Sequence, residues 1–385
     1  MKFIAPLIGI VMAFAGVGMM LSMALHFNAS KLMLFVGLFA AVGMLVSAFV
    51  AMSGLRKEKK KKEAGAPGAP GAAAPVADME EEIDTLVLEA NARLGQSKAG
   101  TGIANFPVVF IIGDRSTAKT SSIVNSGTEP ELLAGQVYQD NAVVATRAAN
   151  IFFARSTAFV EAGGTLMGDP SAWTRLVARL RPGRLKSLMG KGGQAPRAVL
   201  LCFDLEVFTR PGASEAIQGA SRYLQSRMGE ISQMLGIRYP VYALFTRGDR
   251  LPFFAEFVRN LTNEEAGQVV GVTLPIRPAR TTGVYAEEET GRISGCFDEL
   301  FHSFADHRLT LLPREPDATK VPAAYEFPRE FRKLRNTLTE FLVDVCRPSQ
   351  LRASPYLRGF YFSGVRPVEV GYQPYTFTDL WFSSS

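Results

Sequence analysis

Two long apolar runs open the chain. From Phe3 to Ser30 and again from Leu32 to Leu55 there is no Asp, Glu, Lys or Arg, and Lys31 is the only such residue between them. Each run exceeds the ~20 residues that an α-helix needs to cross ~30 Å of hydrocarbon. The pattern therefore predicts a two-helix transmembrane hairpin over residues 1–56, turning at "HFNASK". Small residues on both spans (Gly9, Ala13, Gly16 and Gly18; Gly37, Ala40, Ala41 and Gly43) would let the two backbones approach closely. An alternative reading makes the first run a cleaved signal peptide with Lys2 as its basic end. The second run then acts as a stop-transfer, and the topology of the main domain is unchanged.

Beyond the hairpin the period changes. Short apolar runs rich in Val, Ile and Phe appear at Phe106–Gly113, on either side of Ser156, at Arg197–Glu206 and at Tyr239–Asp249. Near-continuous runs of this length suit strands buried on both faces of a parallel sheet. Helical patterns separate them, starting near Ser171, Ala213 and Pro252, so the order of elements predicts an α/β, doubly wound sheet. The two runs flanking Ser156 are close enough to form a hairpin, and hence an antiparallel edge. From about Gly283 the pattern is helical, with Cys296–Leu312 and then the series Phe327, Phe331, Leu334, Leu338, Phe341, Leu342 and Val345. The expected organisation is a hairpin at 1–56, a linker at 57–77, an α/β domain at 78–282, and a helical subdomain at 283–385 that ends in "LRGFYFSG".

Charge refines this picture. The chain carries 42 Lys and Arg against 36 Asp and Glu; eight of the cations and two of the acids fall within residues 1–63, which leaves 34 of each elsewhere. The net charge of +6 thus belongs to the membrane edge and argues against a nucleic-acid surface. In "RKEKKKKE", Arg56–Glu63, six of eight residues are cationic, which places the following chain on the cytoplasmic side. The segment Ala64–Ala77, "AGAPGAPGAAAPVA", is a Pro/Gly/Ala spacer, and a charged helix comes next, from Asp78 to Gly95. Cys202, Cys296 and Cys346 lie far apart with no paired spacing, and of the three histidines His302 and His307 are five residues apart. No metal held by thiols or imidazoles is expected.

The candidate chemistry sits after the first buried run. In "VVFIIGDRSTAKT", Val108–Thr120, a strand opens through Gly113, Asp114, Arg115, Ser116, Thr117 and Ala118 onto Lys119 and Thr120. This is the spacing of a phosphate loop: backbone N–H groups cradle a β-phosphate, a Lys reaches the β/γ oxygens, and a Thr hydroxyl holds Mg²⁺. One glycine is missing, because Ala118 stands before the Lys, where a Cβ hinders the loop geometry. Two further stretches match a GTPase-type site in weakened form. "FVEAGG" puts Glu161 and Gly164 where an Asp-x-x-Gly would sense Mg²⁺ and the γ-phosphate. "TRGD" puts Thr246, Arg247 and Asp249 where Thr-Lys-x-Asp would read guanine. GTP or ATP with Mg²⁺ is thus the candidate ligand, with Thr120 the candidate Mg²⁺ ligand. No catalytic Gln or Arg comes after Gly164, and no catalytic residue is assigned.

These motifs, together with "GIRYPVYALFTRGDRLPFFAEFVRNLTNEEAGQVVGVTLP" (Gly236–Pro275), "FPREFRKLRNTLTEFL" and "LRGFYFSGV" (Leu357–Val365), resemble the N-terminal, cytoplasmic part of the IcmF/TssM family. Its members are inner-membrane components of bacterial type VI secretion systems. The resemblance covers essentially the whole chain and implies a P-loop NTPase-like, GTPase-like fold in the bacterial inner membrane. It also implies a TssL/DotU-type inner-membrane partner, and a TssJ-type lipoprotein contact for the periplasmic part that the family carries after a third span. Two functions are expected on this basis. One is a scaffold and membrane anchor with a degenerate nucleotide site; the alternative is a membrane-anchored GTPase or ATPase whose hydrolysis drives assembly or transport.

Overall fold

The structure, a computed structural model, describes residues 76–96, 102–139, 142–181, 195–276, 284–349 and 353–366. The described residues all belong to one compact unit, Ala74–Ser385. The expected membrane hairpin and spacer lie outside the described residues. Among the described residues no helix is long and apolar enough to cross a membrane.

In chain order the elements are α1 (Val76–Gln96), β1 (Val108–Ile112), α2 (Lys119–Val124), β2 (Glu131–Ala134), β3 (Tyr138–Gln139), β4 (Ala142–Val143), β5 (Ala149–Ala154), β6 (Thr157–Ala162), α3 (Gly164–Gly168), α4 (Pro170–Arg179) and β7 (Arg197–Asp204). After these come α5 (Ala213–Leu235), β8 (Pro240–Thr246), α6 (Phe254–Val258), α7 (Asn263–Ala266), β9 (Gly271–Thr273), α8 (Tyr285–Leu311), α9 (Val321–Lys333), α10 (Arg335–Val345) and β10 (Tyr356–Phe362).

Eight strands form one mixed sheet in the order β2-β5-β6-β1-β7-β8-β10-β9. β6, β1, β7, β8 and β10 are mutually parallel, whereas β5 runs antiparallel to β6, and β9 antiparallel to β10. The continuous apolar runs of β1, β7 and β8 occupy the middle, where both sheet faces are covered. Pro240, which has no N–H for a ladder, begins β8, one of the positions a sheet tolerates. The hairpin at Ser156 forms as expected, but it is not the edge: the four-residue β2 pairs outside β5.

"LRGFYFSG" has a larger role than the helical pattern around it suggests. β10 inserts between β8 and β9, so the helices α8–α10 return the chain to the main sheet. Their aromatic face packs on that strand, with Phe331 edge-on to Phe362 at 4.9 Å and stacked on Phe297 at 4.7 Å. The amphipathic stripe of α9 and α10 thus covers the sheet of its own chain.

Local signals set the helix ends. Asp169 caps α4 by accepting from the Ser171 and Ala172 N–H groups, with Pro170 at the first helical position. Thr262 and Glu265 form a reciprocal capping box on α7. Gly236 ends α5 in the left-handed region at φ 67°. Asp84 of α1 receives two N–H bonds from each of Arg175 and Arg179 on α4, which holds its carboxyl well below the usual carboxylate range.

Candidate functional site

The parallel strands β6, β1, β7, β8 and β10 all end on one side of the sheet. The chain leaves β1 toward β2 on one side of it in the sheet, whereas the crossover after β6 carries the chain to β7 on its other side, so the crevice beyond the end of β1 is where an α/β sheet places ligands. A cleft of about 610 Å³ lies there, lined by Arg115–Ser121, Val143–Arg147, Glu161, Gly163–Thr165 and Arg247. Its volume is within the ~300–1,000 Å³ of small-molecule sites.

Close backbone approach forms the loop after β1. A Cβ added to Gly113 would lie 2.2 Å from the Cys202 carbonyl oxygen of β7, and one added to Gly164 would lie 2.4 Å from Arg115 Cγ. Both glycines are required by packing. The Asp114 side chain accepts from the Arg115 N–H at 2.7 Å, and Thr117 Oγ1 donates to the Asp114 carbonyl at 3.0 Å. From β8, the buried Thr246 hydroxyl donates to the Thr117 carbonyl at 3.1 Å and so fastens the loop from below.

Ser116 and Ala118 both have positive φ, 60° and 52°. Ala118 sits at the N-cap of α2 with φ 52° and ψ 27°, the left-handed conformation that glycine adopts freely and that costs an L-residue ~1–2 kcal/mol. The missing glycine is thus a strained alanine, and the loop keeps its shape in spite of it. Ala118→Gly should stabilise the protein by ~0.5 kcal/mol, since the relieved strain exceeds the ~0.5–1 kcal/mol of extra chain entropy. Urea unfolding checks this; a loss of more than ~1 kcal/mol would refute the left-handed assignment.

Lys119 is 6% exposed, and its Nζ donates to the Gly113 carbonyl at 2.9 Å and the Asp114 carbonyl at 2.6 Å. Burial lowers the ammonium pKa below the ordinary lysine value, while the fields of Cys202, Glu161 and Asp114 oppose that shift. Thr120 Oγ1 donates to Glu161 Oε1 at 2.6 Å, and Thr146 Oγ1 donates to the same oxygen at 3.0 Å. Asn150 Nδ2 donates to Glu161 Oε2 at 3.0 Å. Its own Oδ1 accepts from the Gln136 N–H, which fixes the amide orientation. Glu161 is therefore a buried carboxylate, 1% exposed, held by three side-chain donors on two other segments.

Of the residues singled out in the sequence, Arg115–Thr120, Glu161, Gly164 and Arg247 line this one cleft. Gly113, Asp114 and Thr246 support it from behind. Arg247 has φ 61°, and its guanidinium pairs with Asp204 at the end of β7, 2.8 Å away. Asp249 is not among the lining residues; its Oδ1 accepts from the Val365 N–H at 3.2 Å and ties the loop after β8 to the loop after β10. Sequence reading missed Thr146, Asn150 and Asp204. Thr146 and Arg147 reach the cleft because β5 is antiparallel to β6, so the start of β5 arrives where β6 ends. A polar pair immediately before a hairpin strand was the only local signal for them.

The described residues contain no cluster of three His, Cys, Asp or Glu that could hold a metal ion. Four cations, Arg115, Lys119, Arg147 and Arg247, line the cleft beside a single acid, Glu161; Arg147 pairs with Glu82 at 3.1 Å and Arg247 with Asp204 at 2.8 Å. A lining of four cations against one acid suits an anionic ligand.

Fold and cleft together define a mixed α/β protein whose parallel strands present a strand–loop–helix cradle at their C-terminal ends. The chain belongs to the IcmF-related family: a profile of the IcmF-related N-terminal domain matches residues 168–374. The loop at 113–120 and Glu161 precede the matched range, whereas Thr246, Arg247 and Asp249 fall within it. The chain is also similar to the type VI secretion system component TssM1 of Pseudomonas aeruginosa, 28% identical over 305 residues, covering 76% of this chain and 26% of that protein. It thus spans about a quarter of that relative's length. Among solved structures it is similar to a GTP-binding protein of the archaeon Sulfolobus solfataricus in complex with GDP, at 18% identity over 46% of this chain and 52% of the other, with a TM-score of 0.20.

Proposed function

We propose that the protein is an inner-membrane anchor and scaffold of a type VI secretion complex whose cytoplasmic cleft binds a nucleoside triphosphate as a ligand. The observation that carries this reading is the convergence of Lys119, Thr120 and Glu161 at the end of β1, inside a cationic cleft. A phosphate oxygen would compete with the Gly113 and Asp114 carbonyls for Lys119 Nζ. The hydroxyl oxygens of Thr120 and Thr146 give their protons to Glu161 and keep lone pairs. That set of hard oxygen donors fits Mg²⁺ carried in with GTP or ATP.

The reading favours a ligand over a fuel. After Gly164 come Thr165, whose hydroxyl accepts from Arg115 Nη2 at 2.9 Å, and Leu166, which is fully buried. Neither is a group that orients an attacking water. Residues 1–56 would form the membrane hairpin, and 57–77 would hold the α/β domain off the cytoplasmic face. A TssL/DotU-type protein would dock on that domain, while a TssJ-type lipoprotein contact would require a periplasmic part.

The test uses the full chain in lipid nanodiscs, titrated with fluorescent GTP and ATP with and without Mg²⁺, beside Lys119→Ala. Wild type should bind at least one nucleotide, Lys119→Ala should weaken that binding at least tenfold, and phosphate release should not exceed background. Turnover abolished by Lys119→Ala would transfer the protein to the enzyme reading. Absence of binding to wild type would refute the nucleotide site itself.

A further inference from the structure

On the helical side of β10 lies a second, apolar groove of about 180 Å³, walled by α6, α8 and α9 and by the residues just before β9. Phe254, Leu261, Phe304, Phe327 and Val269 are among its lining, and Val269 stands 42% exposed at the mouth. Leaving such a surface in water costs ~25 cal/mol for each Å², which makes a covering group favourable. A dry apolar cavity of ~150 Å³ accepts a benzene ring, so this groove has room for one aromatic side chain.

The course of the chain indicates what covers it. Phe362 and Ser363 line the groove, and three residues later Arg366 is fastened to its rim. The guanidinium donates to the Leu261 carbonyl at 2.6 Å and to Asn263 Oδ1 at 3.0 Å. The chain thus leaves the described residues at the groove edge. The next stretch, "PVEVGYQPYTFTDLWFSSS", carries Tyr372, Tyr375, Phe377, Leu380, Trp381 and Phe382 within eleven residues. At no more than ~3.3–3.6 Å per residue, six residues from Arg366 to Tyr372 reach about 20 Å, and the later aromatics reach further. A segment tethered at the rim acts at an effective concentration of order mM, ahead of any untethered occupant.

We propose that the segment Tyr372–Phe382 of this chain docks in the groove and inserts one aromatic ring between α6, α8 and α9. The docked segment would strap the helical layer onto β10 and shield Val269. Hydrogen exchange of the full chain in detergent, read by mass spectrometry, tests this. Amides of 372–382 should exchange at least tenfold slower than an unstructured peptide, and Val269→Asp should abolish that protection. Exchange at the unstructured rate in wild type overturns the proposal. So does protection that appears only at raised protein concentration, which marks a second copy as occupant, or only on adding phospholipid, which marks a membrane. Should Val269→Asp fail to fold, a variant with Tyr375→Ser, Phe377→Ser and Trp381→Ser leaves the groove intact. Residues 254–270 should then exchange at least tenfold faster, and unchanged exchange there refutes the docking.

Discussion

Trp173→Ala should lower stability by ~3–5 kcal/mol, the usual cost of emptying a large aromatic site in a core. Trp173 is fully buried on α4, with its ring edge-on to Phe110 of β1 at 6.4 Å between centroids. Its indole Nε1 donates to the Arg227 carbonyl of α5 at 3.2 Å. One side chain thus joins the central strand to two helices, close to the N-terminal cap of α4 at Asp169. Truncation removes the packing, leaves a void, and takes the indole donor from the Arg227 carbonyl, which keeps its helical hydrogen bond within α5, so the cost comes mainly from the lost packing. Trp173→Phe keeps most of the ring contact and should fall between wild type and Ala. Urea unfolding followed by far-ultraviolet circular dichroism measures both variants, since the fluorescence of Trp173 is lost. A shift below ~1 kcal/mol for Trp173→Ala would mean that α4 does not pack on β1 as described.

The same core shows what a reading of residues alone can reach. β1, β7 and β8 were legible because a strand buried on both faces must be apolar throughout, and a glycine or polar residue closes each: Gly113 after β1, Asp204 at the end of β7 and Thr246 at the end of β8. The hairpin at Ser156 was legible because its two runs are separated by a turn too short for anything else. β10 was recognisable only as a motif: its neighbours in the sheet are β8, more than a hundred residues earlier, and the three-residue β9. Such pairings are fixed by loop closure and tertiary packing, which leave no local period. β2, four residues long, gives no periodic signal either.

At the cleft, the phosphate-loop spacing singled out Lys119 and Thr120, since strand, turn and helix fall in contiguous sequence, while Glu161 came from the separate "FVEAGG" stretch. Thr146 and Asn150 come from a polar stretch that reads as an ordinary connection, and only the antiparallel direction of β5 brings them to Glu161. For Ala118 the residues predicted a hindered loop, and the structure converts that hindrance into a left-handed backbone at one position. Asp249 shows the opposite limit. Its spacing suggests a base reader, while its hydrogen bond to Val365 gives it a structural partner that spacing cannot foresee.

Glu161→Ala should cost ~2–4 kcal/mol, whereas Glu161→Gln should cost less than about 1 kcal/mol. The alanine variant leaves three donors, Thr120 Oγ1, Thr146 Oγ1 and Asn150 Nδ2, without their carboxylate. Two of them border the cleft and can turn to water, which holds the cost below that of breaking a fully enclosed network. Asn150 cannot turn, because its Oδ1 is engaged by the Gln136 N–H, and at 1% exposure water does not reach it. The glutamine variant resolves this. With its amide oxygen toward Asn150 and its NH₂ toward the two threonines, every position keeps a partner, because hydroxyls accept as readily as they donate. What Gln removes is the charge that supports the buried ammonium of Lys119, whose pKa should then fall further. Thermal melts of the full chain separate the two variants by stability, and Mg²⁺-dependent nucleotide titration separates Gln from wild type by charge alone. Equal stability of the Ala and Gln variants would show that the carboxylate does not organise the two threonines and Asn150. Unchanged Mg²⁺ dependence in the Gln variant would remove Glu161 from the proposed nucleotide site.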